Sequence, residues 1–247
     1  MSSVTLAKRI FDDLSARGTP ARAVAEKAYL KSELQHLGVP VPQIRAIVRA
    51  AVKAEPALSR TGLLAAVAAL WKRPVHEARM AAIEMLTAKR ALLVAGDLVL
   101  VEQLIHEAKT WALVDPLATI VVGDLIERFP RLSRTLDRWS TDGDFWIRRA
   151  AMLALLGPLR KGAGDFARFA GYADAMLDER EFFIRKAIGW ILRETSRKQP
   201  KLVFEWLAPR ASRASGVTMR EAVKYLSAAQ QRKLAASRPT RSITARR

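Results

Sequence analysis

In residues 181–197, EFFIRKAIGWILRETSR, a helix turning about 100° per residue gathers Ile184, Ala187, Ile188 and Ile191 into one apolar stripe. Trp190 lies roughly 110° from the centre of that stripe. Its neighbours on the wheel are Lys186, Arg193 and Arg197, four, three and seven residues away. An indole among cations suits an anion with a flat or electron-poor part, nucleic acid above all. The same pattern also suits a tryptophan at the edge of the core beside a solvated charged face. A second segment, KTWALVDPLATIVVGDLIERFP (109–130), sets Trp111 and Asp115 four residues apart, on one face of a helical turn. Pro116 admits another arrangement, with Asp115 as N-cap, Pro116 as first helical residue and Trp111 in the preceding turn. In a third segment, GDFWIRRAAMLALL (143–156), Arg148 and Arg149 interrupt a helix that is otherwise apolar nearly all round. One of the two is expected in solvent. The other needs a partner, and a phosphate would serve.

Other chemistries lack their residues. There is no Gly-rich phosphate loop, no Ser-His-Asp order and no carboxylate-rich metal cluster in the sequence. Cysteine is absent, which excludes a disulfide framework, a thiolate nucleophile and a cysteine zinc site. His36, His76 and His106 are scattered and form no HxxH or HExxH pattern, so they read as ordinary surface or boundary residues. Any reaction must therefore be carried by few groups.

The elements that position them are helices. Helical periodicity predicts segments over 4–17, 20–36, 41–54, 61–72, 75–90, 97–108, 111–129, 131–140, 145–156, 165–178, 181–197, 200–208 and 218–228. Short connections carry Pro or Gly, as at Gly38-Val39-Pro40, Arg73-Pro74, Phe129-Pro130, Gly157-Pro158 and Gln199-Pro200. A weak repeat runs through AAIEML (81–86), ATIVVG (118–123), AAMLAL (150–155), AIGWIL (187–192) and AVKYL (222–226), whose starts are 37, 32, 37 and 35 residues apart. A period in the mid-thirties with two helices per unit predicts an all-α fold, an α-solenoid of HEAT-like repeats with a concave basic DNA-binding face. Small residues allow close helix approach, and long apolar ones join each repeat to the next. The expected organisation is one repeat domain over 1–229 and a basic, flexible tail over 230–247. That tail holds six Lys or Arg and no acid.

Composition agrees with a polyanionic partner. The 247 residues suit one large domain or repeat array, and with half of them hydrophobic the chain is not wholly disordered. Lys and Arg number 42 against 24 Asp and Glu, a net charge of +18. No uninterrupted apolar run reaches about 18 residues. Asp12 and Asp13 stand where a signal peptide needs its apolar stretch. The expectation is a soluble intracellular protein, cytoplasmic, and nucleoid-associated if the source is bacterial.

Taken together, these segments resemble the AlkD-type DNA alkylation repair family, alkylpurine DNA glycosylases built from HEAT-like repeats. The resemblance covers nearly the whole chain. It begins at KAYLKSELQHLGVPVPQIRAI (27–47), with an early Tyr-containing helix and LG-x-x-x-P. It continues through Trp111-x-x-x-Asp115, the W-x-x-R-A-A element from Trp146 to Ala151, and FFIRKAIGWILRE (182–194), and ends at REAVKYL (220–226). The 182–194 segment is the most specific. The resemblance implies Asp115, Trp111 and Trp190 as catalytic groups, with Arg149 among the active-site positions and Tyr29 as a DNA contact. Arg149 rather than Arg148 aligns when the following Ala-Ala pair is the anchor. Arg148, Lys186 and Arg193 are further candidate DNA contacts. Thr110 and Ala112 flank Trp111 where relatives often carry Asp or a second aromatic, which leaves fine substrate preference open.

The implied activity is monofunctional hydrolysis of the N-glycosidic bond of positively charged alkylpurines, 3-methyladenine and 7-methylguanine, in double-stranded DNA. No lyase step is expected, because no Lys stands in a recognisable nucleophile signature. No cofactor, metal or membrane is expected, and a monomer is the simplest state. The alternative is a noncatalytic HEAT-repeat protein that recognises distorted or branched DNA by shape and charge. A scaffold for an acidic protein partner is a third. The presence of both Trp and Asp favours the enzyme.

Overall fold

Helical periodicity becomes helix throughout residues 3–237, the part of the chain that the computed structural model describes. Among these residues there is no strand, only an isolated bridge between Gln35 and Val75. Contacts divide the chain into two units, Met1–Leu132 and Ser133–Arg247, where the repeat pattern predicts one domain over 1–229. The boundary falls just after Phe129-Pro130, where the chain leaves helical geometry at Phe129 (φ −128°, ψ 75°).

The first unit contains α1 (Ser3–Ser15), α2 (Pro20–Leu30), α3 (Val41–Lys53), α4 (Arg60–Trp71), α5 (His76–Ala88), α6 (Leu98–Ala108), α7 (Trp111–Pro116) and α8 (Gly123–Arg128). Leu6, Ile10 and Leu14 repeat every four residues along α1 and are fully buried. They belong to the faces packed among α3, α4 and α5. Burying each such side chain contributes about 1.5–3 kcal/mol. Helix α5 is central, with all of its residues from His76 to Leu86 buried except Arg79. In contrast, α2 buries none of its residues. It ends at Leu30, not at residue 36 as the periodicity predicts, because Lys31 takes a left-handed conformation (φ 49°) and breaks the ladder.

The second unit contains α9 (Ser133–Trp139), α10 (Phe145–Leu153), α11 (Leu156–Arg160), α12 (Phe166–Ala175), α13 (Phe182–Ser196), α14 (Pro200–Leu207), α15 (Gly216–Ala222) and α16 (Ala228–Ala236). Its centre is α13, which packs against α10, α11, α14 and, most closely, α15. Gly189 permits that approach. A Cβ there would stand 2.9 Å from both the Glu221 Cβ and the Thr218 carbonyl oxygen. Gly157-Pro158, read as a connection, instead lies inside α11, where proline in the first turn sacrifices no helix bond. The stretch expected to begin a flexible tail at residue 230 lies partly in α16, which a Ser227–Gln230 capping box opens and buried Leu234 anchors. The rest of that predicted tail, 238–247, lies outside the described residues.

Polar ties recur at the repeat spacing. In the first unit Arg45 pairs with Glu84, 39 residues on, and the Trp71 indole N–H donates to Glu107, 36 residues on. In the second, Tyr172 donates to Asp137 across 35 residues, Arg210 pairs with Asp174 across 36 and Lys186 with Glu221 across 35. The sequence period is thus also a period of hydrogen bonding between successive helix pairs. Among the described residues no helix is long and apolar enough to cross a membrane.

Candidate nucleic-acid interface and active-site residues

Trp111 and Asp115 owe their placement to a tight turn. Helix α6 ends as Lys109 adopts a left-handed conformation (φ 49°). Thr110 is extended (φ −151°, ψ 141°), and α7 starts at Trp111. The reading of Asp115 as an N-cap is therefore corrected. Thr110 holds that place, and Asp115 lies inside the helix one turn beyond Trp111. Pro116 has no N–H to offer the Ala112 carbonyl. Directly after it, the backbone passes into a π-helical stretch, Leu117–Val122, before α8 resumes. The Thr119 hydroxyl donates to the Asp115 carbonyl at 2.7 Å.

The Tyr29 ring meets Trp111 edge to face, with centroids 6.2 Å apart and planes at 88°. Tyr29 is 74% exposed although it contacts the indole. The two rings border a cavity of about 290 Å³ that Met80, Glu84, Ala112 and Pro116 also line. Asp115 lies one helical turn beyond Trp111 on α7, while the residues of α7 that line the cavity are Trp111, Ala112 and Pro116. Arg45 donates to both oxygens of Glu84 at 2.8 and 3.0 Å, fixing a carboxylate in the cavity wall. His76 is another lining residue. Burial, with His36 beside it, holds its pKa down at about 4, so it is a neutral imidazole near pH 7.

In the second unit, Trp190 is half-buried on α13. The cations beside it are not loose. Lys186 donates to Glu221 Oε1 at 2.7 Å, Arg193 pairs with the other Glu221 oxygen and with Glu194, and Arg197 pairs with Glu194 at 3.3 Å. Lys224 adds a third bond to Glu221, at 3.0 Å. Burial alone would raise the pKa of Glu221. Hydrogen bonds from Lys186 and Lys224, together with the charges of Lys186 and Arg193, carry it down to about 2.

Neither arginine of α10 is free in solvent. Arg148 forms a two-bond pair with Glu179 at 2.8 and 3.1 Å and donates to the Asp142 carbonyl at 2.6 Å. Arg149 is 2% exposed and donates to the Phe183 carbonyl. Around it the Phe145, Trp146 and Phe183 rings form a cluster, with Trp146 and Phe183 centroids 4.9 Å apart.

Each unit thus carries part of the predicted set: Tyr29, Trp111 and Asp115 in the first, Arg148, Arg149, Lys186, Trp190 and Arg193 in the second. Sequence reasoning missed Glu84, which holds Arg45, and Glu221, which holds Lys186 and Arg193. Their signal was present, because each is an acid on a buried helix face and must be paired.

A family model described as DNA alkylation repair enzyme matches residues 10–226. No curated protein gives a significant match. Among solved structures, the chain is similar to one described as a predicted DNA alkylation repair enzyme from Enterococcus faecalis. That likeness has a TM-score of 0.77 and 23% identity, and covers 86% of this chain and 98% of that one. It is also similar to AlkD2 from Streptococcus mutans, with a TM-score of 0.58 and 15% identity over 85% of this chain and 100% of that one. At such identities the likeness carries the fold.

Proposed function

Because the chain belongs to the DNA alkylation repair enzyme family, we propose that it is a DNA glycosylase for cationic alkylpurines, 3-methyladenine and 7-methylguanine. The observation that carries this reading is the first unit's arrangement: two aromatic rings at right angles bordering a 290 Å³ cavity, with a carboxylate one helical turn from the indole. Few groups suffice for such a substrate. The base already bears a positive charge and leaves neutral, taking the electron pair of the glycosidic bond. Positive charge then develops on the deoxyribose. The Asp115 carboxylate stabilises that charge and accepts the proton of the water that adds to C1′. Trp111 and Tyr29 offer π faces to the cationic nucleotide, and Trp190 offers a further indole to the DNA.

Arg148, Arg149, Lys186 and Arg193 supply phosphate affinity in this proposal. Lys186 and Arg193 would exchange Glu221 for phosphate, and Arg148 would exchange Glu179. Duplex DNA containing alkylated bases is the proposed partner of a monomer without cofactor, and the cytoplasm or nucleoid its place of action.

The test is release of free methylated purines from duplex DNA treated with N-methyl-N-nitrosourea. Excision above the buffer rate that is lost in Asp115→Asn, with DNA affinity retained, supports the reading. Binding to distorted DNA without any base release would establish the noncatalytic alternative.

A further inference from the structure

We propose that Glu26, His36 and Glu77 hold a divalent transition-metal ion at the base of α2, beside the cavity described above, whose wall includes Glu26. A carboxylate oxygen from each glutamate and a ring nitrogen of His36 all lie within 4.8 Å of one another. They come from three places: α2, the loop after it, and the first turn of α5.

Two observations point to a ligand. His36 is 8% exposed, yet among the described residues neither of its ring nitrogens has a hydrogen-bond partner. An orphaned buried polar atom costs about 1–3 kcal/mol, and a metal would satisfy one. Glu77 is 0% exposed and, among the described residues, forms no ion pair. Its oxygens accept backbone N–H groups from Leu37 at 2.9 Å, Gly38 at 2.6 Å and Val39 at 3.2 Å. Those bonds fix the carboxylate but bring no opposite charge to a buried anion.

The loop is held closely enough to keep this geometry. Gly38 has φ 79°, and a Cβ on it would stand 2.2 Å from the Thr19 carbonyl oxygen. His76 stacks on His36 with centroids 4.6 Å apart and planes 7° apart. Parallel rings cannot aim their in-plane lone pairs at one ion, so His76 orients the His36 ring and is not itself a ligand. An entry path exists, because His36 also lines a cavity of about 450 Å³ with Lys27, Glu33 and Gln35.

One imidazole and two carboxylates suit zinc or manganese. Bond lengths of about 2.1 Å put tetrahedral ligand atoms roughly 3.4 Å apart. The ligand atoms must therefore draw together on binding, and Glu26 is half-buried and pairs with Arg22 on its own helix.

The experiment is zinc titration of the full chain by calorimetry, with X-ray absorption of the bound ion. One zinc per chain with only nitrogen and oxygen ligands is expected. Glu26→Gln and His36→Gln should each weaken binding at least tenfold, and His106→Gln should leave it unchanged. Because α2 buries none of its residues, Glu26→Gln retains the fold, and its circular dichroism checks this. No zinc bound by the wild type, or equal affinity in the wild type, Glu26→Gln and His36→Gln, would overturn the site.

Discussion

Glu221 sets the charge state of the surface around Trp190, and its removal makes a measurable prediction. Its ordinary pKa of 4.5 falls to about 2 in the folded protein. Unfolded chains therefore bind the proton more readily than folded ones in that interval. The stability this carboxylate contributes is fully present above pH 4.5 and is lost as pH falls towards 2. At about 1.36 kcal/mol per pKa unit the full interval is worth about 3 kcal/mol. The Glu221 side chain is 11% exposed, but those of Lys186 and Lys224 are 41% and 49% exposed, so solvent screens the network. A contribution of about 2 kcal/mol is the working figure. Glu221→Gln should lose that amount at pH 7. Urea denaturation followed by tryptophan fluorescence reports on the second unit, where Trp139, Trp146, Trp190 and Trp206 lie. Between pH 7 and 2.5 the wild-type and variant curves should converge. Curves that stay parallel would refute the network as the source of the shift. Loss of Glu221 also releases Lys186 and leaves Arg193 paired with Glu194, so log affinity for random DNA should fall more steeply with log salt, by about 0.9 per cation recruited.

Other expectations follow from single contacts. Asp115→Asn should lower base excision by about a hundredfold or more while DNA affinity and the unfolding midpoint hold; equal loss of affinity would make Asp115 a structural residue. Gly189→Ala should destabilise the second unit by about 1–3 kcal/mol, read by denaturation, because its Cβ meets the α15 backbone at 2.9 Å; a neutral result would mean that α15 yields freely. Tyr29→Ala, at a residue 74% exposed, should change stability by less than about 0.5 kcal/mol yet weaken DNA binding several-fold, and unchanged binding would remove Tyr29 from the contact surface. Arg149→Ala should destabilise by about 1–3 kcal/mol, because a buried hydrogen-bonded cation is lost; if its salt slope for DNA binding also stays unchanged, Arg149 contacts no phosphate.

The helices were largely legible from the sequence because their apolar stripes are local. The 35-residue spacing of small-apolar motifs anticipated the ties at nearly the same spacing, such as Lys186–Glu221. What local periodicity could not supply was the partner of each charge. On a helical wheel Trp190 sits among three cations. In space, Glu221 arrives from α15 and neutralises two of them, and Glu194 on their own helix takes the third. The cap reading of Asp115 failed for a related reason. Proline is favoured at a helix start, and nothing in residues 109–116 announces that Lys109 will take a left-handed turn and start the helix early. The His36 cluster escaped notice because its members are 10 and 41 residues apart and come from separate elements, which no short histidine pattern samples.

The π-helical stretch after Pro116 constrains how this chain can vary. A wider turn of this kind is equivalent to one residue inserted into an α-helix. Excising one of residues 117–122 would remove that extra residue, and because six residues of the wider turn rotate the chain about as far as five of α-helix, the flanking segments would keep nearly their present orientation. On the far side Leu125 is fully buried, and the Arg128 guanidinium is anchored to the carbonyls of Arg90 and Leu93. A deletion in the α-helical turns on either side would instead turn Trp111 and Asp115 by about 100° against those anchors. The wider turn is consequently a place where a single-codon deletion would leave the carboxylate facing nearly as it does.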